Sequence, residues 1–367
     1  MRIELKQVLF PQPKSKIKAG DGKAEGRYKF FTSSPLQTKF HDEANYDEPS
    51  LIFGTGGNAS VHFCDEPFST STDCLVMYGR SRTELETIYN YLKSNIGILE
   101  NGFKGAGLKH ISKDYILAIE IDLPCETIQL EFLQKTRIID EVIESKRTQL
   151  LLNEDLVKSR FIEMFVTDKN VSHWPQVAIS DVSTDMRTGP FGSALHHDEF
   201  VDSGVFVLGI DNAVENRFSY NRMRYITEEK YSQLKRYTVY PGDVIITIMG
   251  TVGRSAVIPQ DMPKAINTKH LACITPDSAV IDPCFLASAF QMHPTIRLQL
   301  QNQCKGAIMD GLNLTIIKGL RFQLPPIDQQ KQFSGFVEQT DKSKFEIQQS
   351  LEKLEILKKS LMQQYFG

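Results

Sequence analysis

One stretch of this chain occurs twice, and the spacing of the two copies limits how the chain can fold. The segment KGAGLKHISKDYILAIEIDLP starts at Lys104, and KGAIMDGLNLTIIKGLRFQLPP starts at Lys305, 201 residues later (305 − 104 = 201). The register continues without an insertion to Phe165 and Phe366 (366 − 165 = 201). A register of this length is typical of a long helix, because one extra residue would rotate everything beyond it by about 100°. The sequence therefore predicts a duplicated protein in which each copy ends in a long helix.

The two segments at the ends of the copies have the composition of helices. Residues 125–165 contain neither Pro nor Gly, and after Pro326 only Gly335 interrupts the second segment before Gly367. At 1.5 Å per residue, helices of about 39 residues would each span about 58 Å. We predict that they pack on each other as a coiled coil, whereas the alternative, a core helix in each domain, stays open. Apolar residues recur at helical spacing in both segments: Ile128, Phe132, Ile139, Ile143, Leu150, Val157, Phe161, and Phe333, Val337, Ile347, Leu351, Leu354, Leu361.

Each long segment follows a block of mixed character, and the two blocks also repeat. In the second block, YPGDVIITIMGTVGRSAVIP predicts a strand, a glycine-containing hairpin and another strand. In the first block, SLIFGTGGNASVHF places Gly54 opposite Gly250 at an offset of 196 (250 − 54 = 196), and FSTSTDCLV parallels KAINTKHLA at the same offset. We predict an α/β (α+β) protein with four parts: a block at 1–123, a helix at 124–166, a block at 167–324 and a helix at 325–367.

The composition excludes several classes of protein. No apolar run approaches the roughly 20 residues that a membrane-spanning helix needs. The N-terminal MRIELKQVLFPQPKSK lacks the apolar core of a signal peptide, which favours a cytoplasmic protein without a membrane partner. The six cysteines show no CxxC spacing, which argues against a structural zinc site and fits reduced thiols.

Two local clusters of positive charge stand out against a net charge of −3. Residues 14–29 contain six Lys or Arg, and residues 215–236 contain six more. Clusters of this kind can follow a phosphate backbone, although each alone is equally well explained as solvated loop charge. One cluster in each half favours a polyanionic partner.

Several motifs, taken in order, resemble those of a known family. They are GPFGSALH (Gly189 to His196), GDVIITIMGTVGR, AINTKHLACI, the KGA…LPPIDQQ segment and the closing LEKLEILKKSLMQQYF. Over nearly its full length the chain resembles the specificity subunit of type I restriction-modification systems. The first block departs from the pattern, since it has no GPFGS equivalent.

The resemblance implies two target recognition domains, each reading one half of a split site in double-stranded DNA. The two long helices would form an antiparallel spacer between them, with an internal pseudo-two-fold repeat. Partners in this family are two methylation subunits, which bring S-adenosylmethionine to adenine bases, and restriction subunits, which add ATP- and Mg-dependent translocation and cleavage. The specificity chain itself is implied to be non-catalytic and to bind no cofactor.

Candidate DNA contacts follow from what readout requires, namely short polar side chains at base edges and cations at phosphates. The polar candidates on the hairpins and the following strands are Thr55, Asn58, Ser71, Thr72, Thr247, Thr251, Asn267 and Thr268. The family motif adds Thr188, Ser193, His196 and His197. The basic candidates are Lys16, Lys18, Lys23, Lys104, Lys109, Arg187, Arg222, Arg224, Arg254, Lys269 and Lys305. The alternative for each is structural: a hairpin turn, a capped loop or, for the two histidines, a loop pair without a third metal ligand.

Two other functions stay open. A self-sufficient DNA adenine methyltransferase is suggested by FGTGG at Phe53, but such enzymes also need an Asn/Asp-Pro-Pro-aromatic motif to hold the flipped base. LPPIDQ at Leu324 lacks both the leading polar residue and the aromatic. A coiled-coil adaptor without DNA binding would explain the helices but not two polar, glycine-rich blocks of matched design.

Overall fold

The computed structural model describes residues 2–105, 107, 109–167, 171–191, 194–304 and 312–366, without the side chains of residues 303 and 304. The described chain forms two compact units. The first unit comprises residues 1–148 and 347–367, and the second comprises residues 149–346. No helix among the described residues is both long enough and apolar enough to span a membrane.

The first unit is built on three small sheets. Its elements are β1 (Arg2–Glu4), β2 (Leu9–Pro11), β3 (Tyr28–Phe31), β4 (Lys39–His41), β5 (Ser50–Gly54), β6 (Ser60–Cys64), β7 (Phe68–Thr70), β8 (Cys74–Gly79), α1 (Arg82–Ser94), α2 (Gly97–Glu100), α3 (Lys113–Leu117), β9 (Glu120–Asp122) and the first part of α4 (Glu126–Phe165). The strand orders are β2-β8-β5-β6, β4-β3-β7 and β1-β9. All pairs are antiparallel except β3 with β7. The buried face of α1, with Leu85, Ile88 and Leu92, joins the core formed by Leu51, Phe53 and Met77.

The second unit repeats this plan with one more strand. Its elements are the rest of α4, β10 (Gln176–Ala178), β11 (Ser183–Thr188), β12 (Val205–Leu208), β13 (Tyr225–Ile226), α5 (Glu228–Leu234), β14 (Thr238–Val239), β15 (Val244–Thr247), β16 (Ser255–Val257), β17 (Ala265–Asn267), β18 (Leu271–Pro276), α6 (Pro283–Met292), α7 (Pro294–Cys304), α8 (Leu314–Gly319), β19 (Arg321–Gln323) and the first part of α9 (Ile327–Phe366). The strand orders are β11-β18-β15-β16, β13-β12-β17-β14 and β10-β19. Among the described strand pairs of this unit, only β12 with β17 is parallel.

The predicted offset of 201 holds in the structure from the end of each block onward. Strands β9 and β19 lie 201 residues apart, and each pairs with the opening strand of its unit. Ser112 caps α3 by accepting a hydrogen bond from the third residue on, and Asn313 caps α8 in the same way. At the helix starts, the Gln129 side chain donates to the Pro124 carbonyl at 2.8 Å, and Gln330 donates to the Pro325 carbonyl at 2.8 Å.

The structure corrects the predicted offset of 196 within the blocks. Strand β7 ends at Thr70 and β17 ends at Asn267, an offset of 197 (267 − 70 = 197). The hairpin shifts further, because Gly54 is the last residue of β5, whereas Gly250 lies in the β15–β16 connection with φ 72°. The connection between β15 and β16 is longer than that between β5 and β6, so glycines that align in sequence occupy different places.

The long helices α4 and α9 each have 40 residues and pack antiparallel in both units. In the first unit, Phe132 near the start of α4 packs edge-on against Phe366 at the end of α9, with ring centroids 5.2 Å apart. In the second unit, Phe161 near the end of α4 packs against Phe333 near the start of α9, at 5.4 Å. The predicted coiled coil is confirmed, and each helix is divided between the two units instead of lying outside them.

Candidate nucleic-acid interface

Three loops of the first unit are joined through one serine hydroxyl. The Ser33 hydroxyl accepts hydrogen bonds from the backbone N–H of Thr55 at 2.9 Å and of Gly56 at 3.2 Å, and it donates to the Asp73 carbonyl at 2.5 Å. The Thr55 hydroxyl also donates to the Asp73 carbonyl, at 2.9 Å. We call residues 32–34, 55–58 and 71–73 the first tip.

Two basic segments lie against the first tip. The backbone N–H of Thr72 donates to the carbonyl of Ile17 at 2.8 Å, which places Lys16 and Lys18 on either side of this contact. Ile111 donates from its backbone to the Thr55 carbonyl at 3.1 Å. That bond holds the segment with Lys104 and Lys109 against the first tip. An antiparallel bridge between Lys104 and His110 closes the same segment. These four lysines are exposed. The first copy of the KGA motif therefore brings positive charge to the tip.

The second unit has a tip with the same backbone connections. Thr268 donates to the carbonyl of Leu208 at 3.0 Å, as Ser71 donates to Phe31 at 2.8 Å. Ile248 donates to the carbonyl of His270 at 2.9 Å, as Thr55 donates to Asp73 at 2.9 Å. Leu312, 201 residues after Ile111, donates to the carbonyl of Ile248 at 2.9 Å. We call residues 209–212, 248–254 and 268–270 the second tip.

Exposed polar and basic side chains surround the second tip. Thr251, Arg254 and Lys269 are exposed, and neither of the two cations has an ion-pair partner in the described part of the chain. Burial lowers the pKa of His270, and the nearby charges of Lys269 and Arg224 lower it further. This tip is therefore electropositive. Positive charge next to short polar side chains suits a surface that binds nucleic acid.

Glycines make close backbone contacts at the second tip. A Cβ on Gly189 would lie 2.2 Å from the backbone carbon of Thr268, so the segment that follows Thr188 runs directly against the β17–β18 connection. Gly250 and Gly253 have φ values of 72° and 82°, a region that favours glycine. The Thr247 hydroxyl accepts from the Arg254 backbone N–H at 2.9 Å and holds the hairpin closed.

Several predicted contact residues are buried or have partners inside their own unit. Ser71, Thr247 and Asn267 are fully buried, and the Asn267 side chain donates to the Leu271 carbonyl at 3.2 Å. These contacts favour structural roles for the three. Lys23 pairs with Asp42, and Arg224 pairs with Asp211.

Among these predicted contact residues, Arg187 is the one most firmly bonded within its own unit. Its guanidinium makes four hydrogen bonds inside the second unit, to the Thr238 carbonyl (2.8 Å), Asp185 (2.7 Å), Thr275 (2.9 Å) and Asp243 (2.5 Å). The predicted contact of Arg187 with DNA stays a prediction, but its side chain is built into the domain.

The remaining candidates are placed as follows. Thr72 lies on the first tip, and Asn58 is exposed on its hairpin. Arg222, His196 and His197 are exposed, and the His196 backbone N–H donates to Glu199 at 2.7 Å. Ser193 and Lys305 lie outside the described residues.

Two buried polar atoms, one on the second tip and one next to it, lack a partner among the described residues. The Asn267 side-chain oxygen and the Thr268 hydroxyl are buried without a hydrogen bond among the described residues. In the first unit the Thr70 hydroxyl, at the position equivalent to Asn267, is in the same state. Sequence reasoning missed Thr70, and it missed Ser33, whose only signal is the short polar run that follows FF in FFTSS.

The comparisons with known proteins agree on one family. The family described as "Type I restriction modification DNA specificity domain" matches residues 3–153 and 189–358. The specificity subunit of the type I restriction enzyme EcoBI from Escherichia coli is 22% identical over 317 residues, which cover 79% of this chain and 66% of that subunit, slightly less than two thirds of its length. The MjaVIII specificity subunit from Methanocaldococcus jannaschii is 20% identical over 370 residues, covering 93% of this chain and 86% of that one.

Solved structures share the fold. The S subunit of a type I restriction-modification system from M. genitalium superposes with a TM-score of 0.64 at 15% identity, covering 100% of this chain and 96% of that chain. A chain solved in work on complex assembly and conformational transition of the type I system gives a TM-score of 0.61 at 14% identity, with 100% and 97% covered. At such identities the likeness shows the fold alone. The family match covers more than half of this chain and shows that the chain belongs to the type I restriction-modification DNA specificity domain family.

Proposed function

We propose that this chain is the sequence-specific DNA-binding specificity subunit of a type I restriction-modification complex, in which each unit reads one half of a bipartite site in double-stranded DNA. The observation that carries the proposal is the pair of tips. The same backbone hydrogen bonds recur in both units, at 2.8 and 3.0 Å and at 2.9 and 2.9 Å, while the side chains they present differ. A shared scaffold with different exposed side chains is what reading two different half-sequences requires.

The side chains at the tips divide into two roles. The lysines on the segments against the first tip would contact phosphates, which fix register and orientation on the duplex. Arg254 and Lys269 would do the same at the second tip. Asn58 and Thr72 at the first tip and Thr251 at the second would reach base edges, where hydroxyl and amide groups distinguish base pairs. The Thr268 hydroxyl is buried, so Thr268 is not assigned a base contact.

The partners and cofactors complete the proposal. Two methylation subunits would dock on the long helices and bring S-adenosylmethionine, and restriction subunits would bring the ATP and Mg chemistry. This chain would supply recognition without catalysis, in the cytoplasm. Exposed leucines on α4 in the second unit support a protein partner there, since Leu151, Leu152 and Leu156 are 67%, 60% and 50% exposed.

Replacing Arg254 with alanine is expected to weaken recognition of one half-site only. Arg254 is exposed on the β15–β16 hairpin, so its loss removes about one phosphate contact or one base contact without disturbing the fold. The methylated motif, mapped in cells that carry the variant, should become relaxed in one half and stay unchanged in the other. Arg321→Ala, an exposed arginine on β19 in the same unit, is the control. Equal relaxation of both halves would contradict the assignment.

Gel-shift and methylation assays with purified proteins test the function itself. The chain, a candidate methylation subunit and their mixture are each incubated with duplex DNA and S-adenosylmethionine. We expect adenine methylation only from the mixture. Methylation by this chain alone would support a self-sufficient methyltransferase, and a mixture that forms a complex but never binds DNA would support an adaptor.

A further inference from the structure

A groove in the first unit has no role in the proposed DNA contacts. It lies between α1 and the first part of α4 and has a volume of about 360 Å³, within the range of roughly 300–1,000 Å³ typical of ligand sites. Phe63 and Tyr89 contribute aromatic surface to its lining, with ring centroids 6.3 Å apart. Glu86, Asp140 and Glu141 add carboxylates.

A buried hydroxyl without a partner lines this groove. Thr136 on α4 is only 2% exposed, and its hydroxyl makes no hydrogen bond to any described residue. A desolvated hydroxyl in this state is unfavourable for folding. The position 201 residues later holds Val337, which packs against the core of the second unit. Valine therefore packs at this position without a polar group that needs a hydrogen-bond partner, and packing alone does not explain the threonine in the first unit.

The charge at one groove position also differs between the two copies of the long helix. Glu86 pairs with Arg137 at 3.2 Å and Asp140 pairs with Lys358 at 2.5 Å, but Glu141 has no ion pair among the described residues. The position 201 residues after Glu141 holds Lys342. Arg137 is 58% exposed and Asp140 is 44% exposed, so each pair has one partner at the surface, where ion pairs contribute little. An incoming cation can therefore replace Arg137 or Lys358 at small cost. The carboxylates at the same time disfavour DNA phosphates at this place.

We propose that the groove receives a lysine or arginine side chain from a segment of the methylation subunit. The cation would lie near Glu141 and Asp140, an arrangement favourable to ammonium and guanidinium groups. The Thr136 hydroxyl would accept one of its N–H groups. This inference rests on the proposed function, since it names where the partner of that function is held.

Two single variants and one control test the proposal. Glu141→Lys reverses the unpaired charge at an exposed position, and Thr136→Val removes the hydroxyl while keeping the shape found at Val337. Glu346→Lys makes the same charge reversal at an exposed position on α9 in the second unit. The dissociation constant of the full chain for the methylation subunit is measured by titration calorimetry at low and high salt. Melting curves and gel shifts on DNA accompany each variant.

We expect Glu141→Lys to weaken subunit binding at least tenfold, about 1.4 kcal/mol, and to reduce its salt dependence. Thr136→Val should weaken binding about threefold without lowering the melting temperature, while Glu346→Lys binds as the wild type does. If both groove variants bind the subunit like the wild type, the groove proposal is overturned and the proposed function stands. If the wild-type chain itself does not bind the methylation subunit, the proposed function and the groove proposal both fall.

Discussion

Replacing Asp243 with alanine is expected to lower the free energy of unfolding of the second unit by about 3–5 kcal/mol. Asp243 is 1% exposed and accepts hydrogen bonds from Arg187 (2.5 Å), Thr275 (2.7 Å) and the Tyr240 backbone N–H (2.9 Å). Its removal leaves the largely buried Arg187 guanidinium without its buried counter-ion. An uncompensated charge in that position is far more unfavourable than the loss of an exposed ion pair.

A second carboxylate partner of Arg187 provides the control for this experiment. Asp185 also pairs with Arg187, at 2.7 Å, but the Asp185 side chain is 58% exposed. Asp185→Ala should therefore change the free energy of unfolding by less than about 1 kcal/mol. Urea denaturation followed by circular dichroism measures both variants. A value for Asp243→Ala as small as that for Asp185→Ala would show that the buried pair does not stabilise the unit.

The second large expected effect is a loss of folding stability at low pH that depends on His293. His293 is 4% exposed, its ring contacts Phe161 and Phe322 at 6.2 Å each, and both ring nitrogens lack a partner among the described residues. Burial lowers the pKa of His293 to about 4, from an ordinary value of 6.5. The unfolded state then binds more protons between pH 6.5 and pH 4. Stability from the neutral ring is complete above pH 6.5 and is lost as the pH falls towards 4, by about 3 kcal/mol in total.

His293→Leu should remove this dependence on pH. Leucine fills a similar volume in the apolar cluster and carries no nitrogen that must be protonated or hydrogen-bonded. The free energy of unfolding is measured from pH 4 to pH 7 for wild type, His293→Leu and His197→Leu, the last being an exposed histidine of the same unit. The difference between His293→Leu and wild type should grow by about 3 kcal/mol from pH 7 to pH 4. If the curves of unfolding free energy against pH run parallel for wild type and His293→Leu, the lowered pKa of His293 is contradicted.

The sequence predicted the parts of the fold that depend on uninterrupted register. Helices α4 and α9, the strands β9 and β19 that precede them and the caps at Ser112 and Asn313 all follow the offset of 201. A long helix tolerates no insertion without rotating its buried face, so its register survives in the sequence. The hairpins do tolerate insertions, and there the alignment of Gly54 with Gly250 failed because one connection is longer.

Side-chain roles at the tips were harder to predict. An arginine near a polar strand end suits a DNA phosphate and an internal carboxylate equally well. The partner of Arg187 is Asp243, 56 residues away, which no local pattern reveals. Thr247 and Asn267 were nominated for their polarity, yet their side chains bond backbone groups within their own hairpin and strand connection. Ser33 joins three loops, although it stands in an ordinary run of small polar residues.

Genome-wide mapping of methylated adenines tests the central claim most directly. The maps compare cells with the wild-type chain, cells without it and cells that carry Arg254→Ala. Two tips on one duplicated scaffold predict a methylated motif of two short specific parts separated by unspecified bases, absent without the chain and relaxed in one part in the variant. A methylation pattern that is unchanged when the chain is removed would contradict the account.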